Sequence, residues 1–110
     1  MSTCEMLLTS LRSGAQDGAL ARLYALDGSS NRLNQARQRA IRVVEGFQLA
    51  FDPSSRAEVA LFSAPGRTEI GGNHTDHQHG RVLAAAVDLD FLPCAAPNGT
   101  NVIRFQSEGW

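Results

Sequence analysis

The chain of 110 residues contains no lysine, so all ten of its basic side chains are arginine. That absence excludes a Schiff-base lysine and the lysine of a phosphate-binding P-loop. Eleven acidic residues bring the formal net charge to −1, which argues against a nucleic-acid partner, since such surfaces carry a marked excess of base. Cysteine is scarce as well. Cys4 and Cys94 are the only two, and without a framework of further cysteines they read as reduced thiols of a cytoplasmic protein. No apolar run approaches the roughly 20 residues that span a bilayer, so no membrane role is expected. The opening MSTCEMLLTSLRSG lacks a basic segment followed by an apolar block, so it does not read as a signal peptide. What is present is ordinary globular material, 43% hydrophobic and 19% charged, in a chain long enough for one modest core.

Hydrophobic spacing divides that material into helices and strands. A short helix is expected from Asp17 to Ala25, with Leu20, Leu23 and Tyr24 on one side. Asp27-Gly28-Ser29-Ser30 breaks it, and Ser29 or Ser30 can cap the next helix. There Leu33, Ala36, Ala40, Val43, Val44, Phe47 and Ala50 recur at helical spacing. Arg32, Arg39, Arg42 and Glu45 fall largely on the opposite, solvated side. Asp52-Pro53-Ser54-Ser55 ends the helix, because proline disfavours helix in the residue before it. EVALFSAP then suits a strand ended or turned by Pro65-Gly66, while VLAAAV fits either a buried strand or a helical turn. Asn98-Gly99-Thr100 between apolar runs is a strong hairpin signal. The fold class expected is α+β, with helices followed by a small mixed or antiparallel sheet. Trp110 directly follows the second hairpin strand, and no helix in these residues covers the sheet. An uncovered apolar face is a poor solution for a soluble domain, so a fragment, or a domain completed by another segment, is expected.

Between the strands lies GRTEIGGNHTDHQHG, Gly66 to Gly80, where glycines alternate with three histidines, two acids and an arginine. His74, Asp76, His77 and His79 include metal-ligand types. On extended backbone, however, His74 and Asp76 face away from His77, and the glycines at 71, 72 and 80 disfavour the helix that would reunite the histidines. No metal site is assigned. A phosphate loop would need G-x-x-x-x-G-K-[ST], which is absent. A polar surface loop is the plain alternative. Against it stands the arrangement: close backbone approach through Gly71-Gly72 would bring Asn73, His74 and Asp76 to one spot. Amide, imidazole and carboxylate together can exchange several hydrogen bonds with neighbouring hydroxyls, which is what a sugar requires.

The stretch SAPGRTEIGGNHTDHQHGRVLAAAVDLD resembles the galactokinase signature, which runs roughly Gly-Arg-x-Asn-x-Ile-Gly-Glu-His-x-Asp-Tyr with a glycine soon after. Galactokinases belong to the GHMP superfamily of sugar and metabolite kinases, and the resemblance covers about residues 30 to 110. It implies the N-terminal part of a GHMP-kinase-type domain, of the kind seen in the second domain of ribosomal protein S5. Residues 1–28 would form a helical extension, and residues 29–110 the galactose-binding region, stopping before the ATP-binding loop. Carried over by position, the resemblance makes Arg67 the arginine beside the acceptor hydroxyl, stabilising the transition state. Asn73, His74, Thr75 and Asp76 fall on the segment that holds galactose, with Asp76 the carboxylate that accepts from sugar hydroxyls. Glu69 stands where asparagine is usual, Asn73 where glutamate is usual, and His77 where tyrosine is common. The first two exchanges keep one amide and one carboxylate nearby.

The reaction implied is phosphorylation of the anomeric hydroxyl of galactose, with ATP and Mg²⁺ as the family's cofactors. A pre-formed pocket contributes by fixing the acceptor in line, and Arg67 by positive charge where negative charge develops. The family's Ser-rich phosphate loop and the aspartate proposed as base do not occur in these residues, so the chain is expected to be inactive alone and to depend on the missing C-terminal portion of the kinase. A galactose-binding or sensing module without catalysis, and a related kinase acting on N-acetylgalactosamine, are the alternatives.

Overall fold

The computed structural model describes residues 2–27, 30–51, 57–72 and 76–109. They divide into two compact units, Met1–Phe62 with Pro93–Trp110, and Ser63–Leu92.

In the first unit a two-residue strand, β1 (Ser2–Thr3), leads directly into helix α1 (Cys4–Arg12). The Thr3 side chain caps α1 by accepting from the Met6 N–H at 3.3 Å, which satisfies one of the orphan donors of the first turn. Cys4, Leu8 and Leu11 recur every three or four residues and are all buried. Helix α2 (Asp17–Leu23) buries Leu20, and helix α3 (Ser30–Phe51) buries Ala40, Ile41 and Val44. Both α1 and α2 pack against α3. Ala40 and Val44 are completely shielded from solvent, and their shared face one turn apart forms the centre of the helical core. Arg37, one turn before Ile41, reaches Asp17 of α2 with two nitrogens, its Nε donating to Oδ1 at 2.8 Å and its Nη2 to Oδ2. The fork geometry of arginine favours such a paired contact with a carboxylate. Arg12 likewise joins α1 to Glu45 of α3 at 2.6 Å, but both side chains are about half exposed, and such surface pairs contribute little.

Strand β2 (Glu58–Leu61) lies at the centre of a three-stranded antiparallel sheet. It pairs with β1 through Ser2 and Val59, and with the short strand β5 (Cys94–Ala95) through Leu61 and Cys94. Val59 is buried, and the Phe62 N–H extends the edge by donating to the Pro93 carbonyl. The expected hairpin at Asn98-Gly99-Thr100 does not form. The segment after β5 carries no strand among the described residues. Asn98 instead uses its own side chain: Oδ1 accepts from the Thr100 N–H at 3.0 Å, and Nδ2 donates to the Val102 carbonyl at 2.7 Å. Backbone groups satisfied in this way are withdrawn from a ladder. Arg104 stacks over the ring of Phe51, 5.8 Å from its centroid.

The second unit is an antiparallel ribbon of β3 (Ala64–Gly71) and β4 (Leu83–Phe91), joined by a segment that includes a 3₁₀ turn at Asp76–Gln78. VLAAAV thus resolves as strand from Leu83 onward. Pro65-Gly66 neither ends nor turns a strand but lies inside β3, and the break falls earlier, at Phe62–Ser63. Proline is tolerated here because a bulge interrupts the ladder beside it, between Pro65 and Arg67. The α+β class and the antiparallel pairing agree with expectation, with the difference that one strand precedes the helices. Among the described residues no helix is long and apolar enough to cross a membrane.

Burial pushes the Cys94 thiol from its ordinary value near 9 up to about 12, with Cys4 adding to the rise. Unfolding would release that thiol to ionise at its ordinary value. Stability is therefore expected to be insensitive to this group below pH 9 and to fall as pH rises from there toward 12. Denaturant melts of wild type and Cys94→Ser across that range check this. Equal slopes would contradict it.

Candidate functional site

In the ribbon, Arg67 lies opposite Ala86, Thr68 opposite Ala85, and Glu69 opposite Ala84. Side chains alternate along a strand, and directly paired residues point to the same side. Arg67 and Glu69 therefore share one face with Ala86 and Ala84. Both are exposed, and the two alanines opposite leave the ladder beside them unobstructed. The guanidinium of Arg67 forms no ion pair with a described residue. Sequence reading placed the stretch from Gly66 as a polar segment between strands, yet as far as Gly71 it is itself strand.

Two irregularities bracket this strand. At its start, Gly66 alone faces Val87 to Leu89, because Pro65 pairs with Asp90 and Arg67 with Ala86. A Cβ at Gly66 would stand 3.0 Å from Val87 Cγ2 and 3.2 Å from the Leu89 carbonyl oxygen. The Ser63 hydroxyl donates to Asp90 Oδ2 at 2.5 Å and closes that end of the ribbon. At the other end Ile70 is the extra residue between Glu69 and Gly71, and Gly72 follows with φ +110°. Its α-carbon lies so near the returning chain that a Cβ there would stand 2.4 Å from the Arg81 carbonyl oxygen and 2.6 Å from Val82 Cα. The connection thus leaves β3 and rejoins β4 at one point. The close approach expected from Gly71-Gly72 belongs to Gly72, since a Cβ at Gly71 meets nothing within 4 Å.

Of the candidate residues, Arg67 lies mid-strand in β3 and Asp76 opens the 3₁₀ turn Asp76–Gln78. Asn73, His74 and Thr75 lie outside the described residues. His77 and His79 are exposed, His79 in the left-handed region at φ 60°. Sequence reasoning missed the partners of this segment, namely Arg81 and Val82 at its base and Ala84 and Ala86 across from Glu69 and Arg67. The alanine run was the available signal, read without knowing that β3 would pair with it.

The glycine-rich stretch does not fit a nucleotide phosphate. Such a site gathers backbone N–H groups at a helix start, whereas Ala64–Gly71 is engaged in a ladder with β4. Among the described residues no group of three histidine, cysteine, aspartate or glutamate side chains could hold a metal ion. What the ribbon offers is an exposed guanidinium beside a carboxylate, on a strand leading into a connection pinched at its base. No solved structure matches the chain. Residues 45–97 match the family model of the galactokinase galactose-binding signature. That span takes in the whole ribbon and supports a galactokinase-type N-terminal region there.

Proposed function

We propose that this chain supplies the galactose-binding side of a galactokinase, which phosphorylates the anomeric hydroxyl of galactose to galactose 1-phosphate. The observation that carries the reading is the signature match over residues 45–97, which includes the Gly-Arg and His-x-Asp elements of the resemblance. In this reading Asn73, His74, Thr75 and Asp76 hold the hexose, and the Asp76 carboxylate accepts from its hydroxyls in charge-assisted hydrogen bonds. Arg67 stands beside the acceptor oxygen and stabilises the charge that develops there. The exposed position of Arg67 in β3 supports this role. ATP and Mg²⁺ supply the phosphoryl group in the family, and no residue of this chain is assigned to them. Residues 29–110 are read as the binding region of a GHMP-kinase-type domain, residues 1–28 as its helical extension, and the cytoplasm as its compartment.

Calorimetric titration tests the reading. Galactose is expected to bind more tightly than glucose, its epimer at a single carbon, because the site gathers directional donors and acceptors around individual hydroxyls. Equal heats for both sugars, or none, would overturn it. The same protein incubated with ATP, Mg²⁺ and galactose is expected to form no galactose 1-phosphate, and turnover would show that these residues hold a nucleotide site after all.

A further inference from the structure

Glu69 shares a strand face with Arg67, and the galactose-binding reading gives it no role. Thr68 alone separates the two in β3, so their side chains leave the strand on one side, with backbones about 6–7 Å apart. Across from them stand Ala86 and Ala84 of β4, whose side chains form no hydrogen bonds. In these two rungs the polar groups of the face are therefore one guanidinium and one carboxylate, both on exposed residues. Asp90, the acid that pairs with Pro65 farther along the ribbon, is engaged by the Ser63 hydroxyl.

The two groups have opposite hydrogen-bonding character. A guanidinium only donates, and an ionised carboxylate only accepts. Neighbouring hydroxyls on one sugar ring suit such a pair, because one accepts from Arg67 while the other donates to Glu69. With Arg67 beside the acceptor oxygen on the anomeric carbon, the ring itself selects the second hydroxyl. The anomeric carbon has two ring neighbours. One is the ring oxygen, which has no proton to give a carboxylate; the other is carbon 2, which bears a hydroxyl. We infer that Glu69 is a specificity-determining residue of this site, its carboxylate accepting from the hydroxyl at carbon 2 of the sugar. This rests on the galactose-binding reading through the place it gives Arg67, and adds a residue and a sugar substituent that the reading does not assign. The substrate class follows from the charge. Sugars with a hydrogen-bond donor at carbon 2 are favoured, an ammonium there gains further from the opposite charge, and a sugar lacking oxygen there is rejected.

Titration of wild type, Glu69→Gln and Glu69→Ala with galactose, 2-deoxygalactose and galactosamine tests this, at a pH where the amine of galactosamine is protonated. Wild type is expected to bind galactose roughly tenfold or more tighter than 2-deoxygalactose, the factor for a hydrogen bond to a charged group. In Glu69→Ala that ratio is expected to fall toward one. Glu69→Gln keeps an acceptor oxygen without the charge, so it is expected to retain part of the preference over 2-deoxygalactose and to lose any advantage of galactosamine over galactose. A carboxylate that acted only by steadying Arg67 or the ribbon would lower all three affinities together, and unchanged ratios in both variants overturn the inference. The double variant Thr68→Glu with Glu69→Gln moves the carboxylate to the opposite face at constant net charge and is expected to behave as Glu69→Gln alone. Recovery of the wild-type ratios there would assign the effect to net charge and overturn the inference. Equal wild-type affinity for galactose and 2-deoxygalactose removes the inference and leaves the galactose-binding reading standing, whereas wild type that binds no galactose removes both. If Glu69→Ala does not fold, wild type and Glu69→Gln decide by the same ratios.

Discussion

Replacing Asp76 by alanine is expected to weaken galactose binding by roughly ten- to a hundredfold, the factor that follows from losing a hydrogen bond to a charged group. A carboxylate offers two acceptor oxygens and can serve adjacent sugar hydroxyls together, whereas alanine leaves those hydroxyls unpaired within the site. Asp76→Asn keeps one acceptor oxygen and is expected to fall between the two. Asp76 lies in the unit Ser63–Leu92 and the helices lie in the other, so helical melting serves as an independent control on the fold. Titration of the three proteins checks the order. Wild-type affinity in Asp76→Ala would remove the carboxylate from the site.

The largest effect on stability is expected from Leu11→Ala. Leu11 is 2% exposed on the face of α1 that packs against α3, and deleting such a side chain costs about 2–5 kcal/mol from lost burial and the cavity left behind. Domains of this size are stable by only about 5–15 kcal/mol, so the variant loses a large share of its margin. Leu11→Met, which keeps the volume, is expected to cost less than ~1.5 kcal/mol. Urea melts monitored by helical signal separate the two. An alanine variant as stable as the methionine variant would show that Leu11 is not part of the core.

Helices α2 and α3 were legible because their signal is local, whereas α1 (Cys4–Arg12) was not singled out. Ala40 and Val44 repeat at the helical period within α3 and are its most buried side chains, although Ile41, also buried, escaped the pattern. Asp17 read only as a helix start, and its pairing with Arg37 twenty positions away was invisible. The sheets were less legible because their information is non-local. β1 and β5 are two residues long, too short for any alternation, and exist because β2 provides partners on both sides. Local signals also misled. Asn98-Gly99 has the composition of a hairpin turn, yet the Asn98 amide satisfies the neighbouring backbone itself. Pro65-Gly66 has the composition of a strand end, yet a bulge accommodates both. At the candidate site the motif gave residue identities and the requirement for a close glycine approach. Which glycine makes it, and that Arg81 and Val82 are its partners, depended on the return of β4.

The central claim is that one hexose sits between the guanidinium on β3 and the residues that follow Gly72. Galactose titration followed through the backbone amide resonances of the chain tests it most directly. The account predicts saturable shifts at Arg67 and across Asn73–Asp76, with the amides of α1, α2 and α3 unmoved and glucose far less effective. Shifts confined to the helical unit, or no shift at Arg67 and Asp76 at saturating galactose, would contradict it.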